Sequence, residues 1–518
     1  FRGIGCYTMA FAQAVVRNRG EHEIILALSG LFPETIEPIR AAFDGLLPQE
    51  NIRVWHAPGP VREMQPGNDA RREAAELIRE AFLASLQPDI VHVCSLFEGY
   101  GDDAVTSIGR FDTSTPTSVI LYDLIPLLNA EHYLKPNPRY EQYYLRKIEY
   151  LRRAALLLSV SDFSRKEAID ALGFEDGRIV NVSGAIDTRF QPLTINESAA
   201  KHLQEKFSII RPFVLYTGGA DERKNLARLI EAYAKLPARL RASHQLMFAG
   251  KMPDGDIARL MHIADAAGLK HDELIFTGYV TDEELVQLYN LCWLFVFPSW
   301  HEGFGLPALE AMACGAPVIG ANTSSLPEVI GMAEALFDPF DVSAIAAKMA
   351  QALQDTDFRN RLQEHGLQQV KRFSWDESAR RAIVAMEQLV AKRREKLLRL
   401  RFGELARKLI LDEHDPRKCA KRYKDAIENC YGAARNGLPG LLQAIAGIPR
   451  KHSPSHYELI AVADALAKSF PATATKRQLL VDISELVQRD AKTGIQRVVR
   501  SILKEWLHHP PDGYRVEP

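Results

Sequence analysis

Two glutamates, Glu302 and Glu310, stand with seven residues between them, and Gly303, Phe304, Gly305 and Leu306 follow the first directly. A carboxylate accepts hydrogen bonds from neighbouring hydroxyls, so a pair of them suits the diols of a ribose or a hexose. The glycines let the backbone come close to a ligand. Pro307 stands where a helix would begin and Gly315 where it would stop. Apolar strands flank the stretch at 294–297 and 317–319, giving a strand–loop–helix–strand unit. Loops at strand C-termini and helix N-termini are where α/β proteins bind nucleotides. Glu302 is expected in such a loop and Glu310 in the first helical turn, both facing one crevice.

A second constellation precedes it. Gly218, Gly219, Arg223 and Lys224 lie between a strand at 213–216 and a helix starting near Asn225. Arginine offers a planar fork, lysine a point charge, and a helix start adds amides, so the set suits a diphosphate leaving group. Gly3 and Gly5 form half of a dinucleotide fingerprint whose third glycine is missing. Tyr122 and Asp123 follow a strand and should point into a cleft, with Glu98 beside them after the preceding strand. His92, inside a strand, is expected to be a packed core residue, and His301 to face solvent or cap its loop. Two Asp-x-Asp triplets, Asp254/Asp256 and Asp355/Asp357, are expected in a loop and a helical stretch, away from any strand end, so no metal and no cofactor are expected.

These groups need a scaffold. Short apolar strands alternate with amphipathic helices, at 23–28, 52–55, 90–93, 118–122, 156–160 and 179–182, and again at 213–216, 245–248, 274–276, 294–297, 318–319 and 335–337. The alternation implies an α/β chain with two parallel sheets, divided near 187–194 and facing across a cleft. The expected division is 1–187, 188–375, a crossover helix at 376–400, a helical linker at 401–475, and a further module beginning at 476–518. A long helix should open at Phe373–Asp376 and run past Lys396. After a strand at 479–483, residues 492–503 and 514–516 read Gly-Ile loop, amphipathic helix and strand, as residues 1–12 and 23–25 do without a strand before them, so the chain is expected to continue into a second copy and to start inside the first.

Bulk properties bound the function. At 518 residues the chain is too long for one core, and its net charge of −2 gives no general attraction to nucleic acid. The six cysteines form no C-x-x-C pair, which suits a reducing cytoplasm. No run of ~20 apolar residues is present. The basic, partly apolar segment 392–424 reads as a solvated helical hairpin or as a peripheral contact with an anionic membrane face.

The 302–310 stretch resembles the E-x7-E signature of the family 4 retaining glycosyltransferases, which have the GT-B fold. Residues 213–225 resemble that family's diphosphate-gripping loop, 277–285 its base-contacting turn with Tyr279 and Val280, 324–329 its loop after the E-x7-E helix, and 2–8 its N-terminal glycine loop. The resemblance covers residues 1–400 in order. It implies transfer of a hexose from a nucleoside diphosphate to an acceptor hydroxyl. Arg223 and Lys224 would bind the diphosphate, Glu310 the ribose and Glu302 the transferred sugar. Gly3, Gly5, Gly218, Gly219, Gly303, Phe304, Gly305 and Leu306 would line the donor. Asp123 would contact sugar or acceptor, and Glu98 and Tyr122 the acceptor side. Tyr122 stands where many relatives have histidine. The opening Gly3–Gly5 segment and Pro126 with its neighbours resemble bacterial mannosyltransferases of O-antigen assembly, which implies GDP-mannose as donor and a growing or lipid-linked glycan as acceptor. Another sugar nucleotide, a sugar-nucleotide epimerase and a non-catalytic scaffold are the rival readings.

Overall fold

The computed structural model describes residues 3–411, Lys421, Leu441, Ile445, Gly447, 456–469, 477–480 and 514–517. Every strand expected up to residue 337 is present, with ends shifted by a few residues. The first half holds β1 (Leu26–Ser29), β2 (Ile52–Trp55), β3 (Val91–Val93), β4 (Thr117–Leu121), β5 (Leu156–Ser159) and β6 (Ile179–Asn181). β1 pairs with β2, and β3 to β6 form a sheet in sequential order. All these pairings are parallel.

The second half holds β7 (Phe213–Thr217), β8 (Gln245–Ala249), β9 (Leu274–Phe276), β10 (Leu294–Phe297), β11 (Val318–Ala321) and β12 (Leu336–Phe337). Their order is β12-β11-β10-β7-β8-β9, again all parallel. Every residue of β7, β8, β10 and β11 is buried. Helices cover both faces of such a sheet, which is why these strands read as continuous apolar runs rather than alternating ones. The chain builds β7, β8 and β9 outward and then returns to lay β10 on the other side of β7. That reversal makes a topological switch point, and the crevice beyond the C-termini of β7 and β10 is the place where an open α/β sheet binds its ligand.

The expected crossover helix is Trp375–Leu411. Its start packs on the first half: Asp376 Oδ1 accepts from Arg17 Nη2 at 3.0 Å and from Asn18 Nδ2 at 2.8 Å. The Trp375 ring meets Tyr7 edge-on at 4.8 Å. Ala379 and Ala382 are fully buried along the seam. Further on, Arg393 donates to Ser114 O and Arg394 to Asp89, both at 2.6 Å. These two members of the basic segment therefore bond to the first half. Lys392, Glu395 and Lys421 are exposed, and the segment's other side chains lie outside the described residues. The helix His456–Ser469 also docks on the first half, through Ser469 Oγ to the His56 backbone and through Leu466 beside Trp55 and Leu77. β13 (Arg477–Leu480) and β14 (Tyr514–Glu517) pair in parallel, while the rest of the expected second copy lies outside the described residues.

Candidate active site

The switch-point crevice gathers the two motifs. β7 ends at Thr217, and Gly218 follows at φ 140°, a conformation that side chains rarely adopt. A Cβ there would lie 2.7 Å from the Tyr216 hydroxyl, whereas one on Gly219 would meet nothing within 4 Å. Gly219 thus leaves open space beside the backbone. Gly218 N donates to Ala249 O at 3.1 Å, and Gly250 bridges to Gly278. The ends of β7, β8 and β9 so form one glycine-lined ledge. Tyr279 stands on it, 62% exposed, with Val280 buried beneath.

Arg223 and Lys224 close a short 3-10 turn, Glu222–Lys224, whose cap is Asp221. Asn225 then takes a left-handed φ of 62° and is pinned by its side-chain amide to Pro298 O and Pro339 O, at 3.1 and 2.7 Å. The helix proper begins at Leu226, so the two cations precede it by that pinned residue. Arg223 Nη1 donates to Glu302 Oε2 at 3.0 Å, and Lys224 Nζ to Glu302 Oε1 at 2.5 Å. Two cations therefore share one carboxylate, and Arg223 Nε also lies 3.4 Å from Asp221 Oδ1. Glu302 is only 8% exposed. Burial alone would raise its carboxyl, but Lys224 and then Arg223 outweigh this and hold it below the ordinary carboxylate range.

Glu310 differs. Its helix starts at Leu306, so Glu310 falls in the second turn, one position beyond the expected one, with Pro307 in the first turn. It accepts from the Tyr289 hydroxyl at 2.9 Å, and Tyr289 in turn meets Thr217 Oγ1 at 2.8 Å. Among the described residues no cation bonds it, and burial pushes its carboxyl up to about 7.

The first half closes on this cluster. A Cβ on Gly303 would lie 2.3 Å from Tyr122 O and 3.2 Å from Asp123 Cβ, so only glycine permits the approach. Ser164 Oγ lies 2.8 Å from Tyr122 O and 3.1 Å from Gly303 O, between the halves. The Phe304 ring fills the space a Cβ on Gly184 would take. Gly305, at φ 105°, caps the Leu306 helix. Asp123 accepts from the Ile125 amide at 3.0 Å. Burial raises its carboxyl, the Ile125 amide and Arg223 lower it, and Glu302 and Glu167 raise it again, with a net upward shift. Tyr122 meets Thr8 Oγ1 at 3.3 Å through its hydroxyl, which burial holds above its ordinary value. Glu98 accepts from Ser95 Oγ at 2.7 Å and is raised by burial.

Several expectations are corrected. His301 faces neither solvent nor its own loop. It is buried, its Nε2 lies 2.7 Å from Glu167 Oε1 of the first half, and its carbonyl accepts from Arg223 Nη1 at 3.0 Å. The N-terminal helix starts at Ile4, inside the expected glycine loop, so Gly5 sits in the first turn, and of the two glycines only Gly3 takes a positive φ, of 56°. That helix still approaches the donor half, since Cys6, raised mainly by burial, feels Asp282, Arg189 and Glu310. Asp254 and Asp256 lie in the first turn of a helix rather than in a loop, and Asp355 caps one. Among the described residues no group of His, Cys, Asp and Glu is arranged to hold a metal ion. His92 is the packed histidine expected, lowered to about 4 by burial.

Glu167, Ser164, Asn225, Tyr289 and Tyr133 went unnoticed in the sequence. Tyr133 donates to Asp221 across the cleft at 2.6 Å. Asn225, next to two cations and before an apolar helix, carried the one local signal, since asparagine tolerates the left-handed region.

Two parallel-sheet halves facing a cleft, with paired cations at the switch point, define a GT-B glycosyltransferase. Residues 201–369 match the family described as Glycosyl transferases group 1. The chain is 36% identical over 516 residues to the serotype-specific mannosyltransferase WbdA of Escherichia coli, covering 99% of this chain and 57% of that protein. It is 38% identical over 269 residues to the O-antigen chain mannosyltransferase B of Escherichia coli, 52% of this chain and 69% of that one. The chain belongs to the group 1 glycosyl transferases. A glycosyltransferase from Rickettsia africae ESF-5 shares the fold at a TM-score of 0.52 and 16% identity, over 74% of this chain and 94% of that one. Anabaena HepE, solved with UDP and glucose, does so at 0.51 and 17%, over 76% and 96%. No helix among the described residues is long and apolar enough to cross a membrane.

Proposed function

We propose that the chain moves a mannosyl group from GDP-mannose to a hydroxyl of a growing, lipid-linked polysaccharide, with retention at the anomeric carbon. The observation that carries the reading is the sharing of Glu302 between Arg223 and Lys224 at the switch point. An incoming diphosphate meets two pre-placed cations there, which can turn from Glu302 and Asp221 to the leaving group as the glycosidic bond to it breaks. Glu302 retains acceptor capacity for a hydroxyl of the transferred sugar, and Glu310 for the ribose diol. The acceptor oxygen bonds to the anomeric carbon while the bond to the diphosphate opens, and the acceptor proton passes to a donor phosphate oxygen. The names of the two Escherichia coli relatives support mannose as the sugar. The reading also takes the reaction to need no metal and to run on the cytoplasmic side, with peripheral contact at the inner face of the membrane.

The test is direct. The protein is incubated with GDP-mannose, UDP-glucose or UDP-N-acetylglucosamine and a synthetic mannoside, with and without EDTA. Transfer from GDP-mannose alone, α-configured by NMR and undiminished by EDTA, is expected. Release of UDP without an acceptor would instead mark an epimerase.

A further inference from the structure

The acceptor half carries an aromatic cluster that the transfer chemistry above does not use. The Tyr100 ring meets Tyr140 edge-on at 4.9 Å and tilts against Tyr143 at 5.3 Å. Phe97 stacks on Tyr144 at 4.8 Å. Tyr143 and Tyr144 are buried and act as the floor, whereas Phe97, Tyr100 and Tyr140 keep part of their surface open. The cluster stands at the C-terminal ends of β3 and β4, on the side of the sheet that faces the cleft. The 62–64 loop is laced to it, as Glu63 N and Met64 N donate to Gly99 O and Tyr100 O, each at 2.9 Å. Met64 is 53% exposed beside the rings.

Two observations tie the shelf to the reacting centre. β3 and β4 are paired, so the loops that carry Phe97–Tyr100 and Asp123 leave the same sheet edge, and Leu121 and Leu124, on either side of Asp123, lie in one cluster with Tyr143 and Tyr144 against which Tyr140 packs. The Asp123 carboxylate, second to burial, also raises the Tyr140 hydroxyl. Glu98 likewise raises Tyr143, second to burial. Polar groups line the rim: Asn137 Nδ2 donates to the Tyr100 hydroxyl at 2.9 Å, and Glu98 and Asp102 stand close enough to feel each other. Partly exposed rings bordered by carboxylates and an amide fit a pyranose, which offers an apolar C–H face and a belt of hydroxyls. A shelf built only for packing would not need this polar border at the mouth of the cleft.

Resting on the reading above, we infer that Phe97, Tyr100 and Tyr140 form a subsite for the second hexose of the glycan acceptor, one unit back from the hydroxyl that reacts at Asp123. The occupant is a hexopyranose chain, since continuity with the cleft leads from Asp123 over Tyr140 to Tyr100. The subsite makes the enzyme favour an acceptor of at least two sugars over one.

Synthetic α-mannosides of one, two and three units test this. In the wild type the acceptor KM should fall between the first and second unit. Tyr100→Ala and Tyr140→Ala should raise KM for the disaccharide about tenfold, while KM for GDP-mannose stays within about twofold. Tyr140→Phe should keep the preference. Unchanged length preference in both alanine variants overturns the subsite, and so does an equal loss for one and two units. Should the alanine variants fold poorly, saturation-transfer NMR on the wild type decides. With mannobiose and GDP, saturation should reach the ring C–H protons of the second unit. Saturation confined to the first unit, or no binding, overturns the inference. Binding with saturated second-unit protons but no transfer from GDP-mannose leaves the subsite standing and condemns the donor assignment instead.

Discussion

On the proposed reading, the two walls of the cleft recognise their ligands by different means. In the donor wall the charged groups come from adjacent strand ends, β7 and β10, and are contiguous in sequence within each loop. A diphosphate always presents the same charge, so fixed cations on a rigid sheet suffice. In the acceptor wall Glu98, Tyr100, Asp123, Tyr140 and Glu167 come from separate loops and helices. Rings and single carboxylates there read shape and hydroxyl pattern. Even within the donor wall the two signature glutamates diverge: Glu302 is held charged by two cations, and Glu310, bonded by a tyrosine alone, is pushed to about 7. Spacing alone made them look alike.

The sharpest way to break this contrast is on the donor side. Lys224→Ala should cut the turnover rate by about 10²-fold or more, because leaving-group charge loses its counterion. Steady-state kinetics with GDP-mannose checks it, and near wild-type turnover would sink the donor assignment.

The next effect lies on the link between the walls. Glu167→Ala strands His301 in a buried setting and frees the segment whose carbonyl holds Arg223. A drop of about tenfold in kcat/KM is expected. Equal losses in thermal stability and none in kinetics would show that the pair only holds the halves together.

Glu310 gives a pH signature. Its carboxyl ordinarily sits at 4.5 and is raised to about 7 in the fold, so the native state binds the extra proton between those values. Stability should therefore fall as pH climbs from 4.5 to about 7 and level off above, and Glu310→Gln should flatten that slope. Ribose hydroxyls that donate to this carboxylate favour its charged form, so GDP affinity should rise as pH climbs to about 7 and level off above, with a proton released on binding below that. Thermal melts and GDP titrations across this range measure both, and a slope unchanged in the glutamine variant would refute the assignment.

The smallest effect belongs to Glu328. It accepts from the amides of Asp162 and Phe163, at 3.1 and 3.4 Å, and so caps a first-half helix from the second half. Glu328→Ala should cost about 1 kcal/mol in a denaturant titration and leave the chemistry intact.

The donor wall was the more legible. Its buried strands are unbroken apolar runs, and its functional groups sit within a few residues of a strand end, so pattern and chemistry coincide. The acceptor wall was legible as strands but only partly as a site. His301 and Glu167 are 134 positions apart, and nothing local to either predicts the other. Gly5 looked like a loop residue because no capping side chain marks the helix start, which Gly3 provides through its backbone alone. Glu310 moved from the first turn to the second because the helix takes in one residue before Pro307.

The chain passes between the halves twice, once after Gly184 through the 187–196 linker and once where the helix at Trp375 turns back onto Tyr7. A body pinned to another at two points keeps one rotation, about the line that joins the pins. Phe304 touches both ends of that line, filling the gap at Gly184 and meeting the Phe373 ring edge-on at 5.6 Å. A rotation about that line would leave it in place. The contact of Tyr133 with Asp221 lies out on the swinging rim, where a small turn becomes a wide gap. A turn about that line would therefore part Tyr133 from Asp221, beside Arg223, before it moved Phe304.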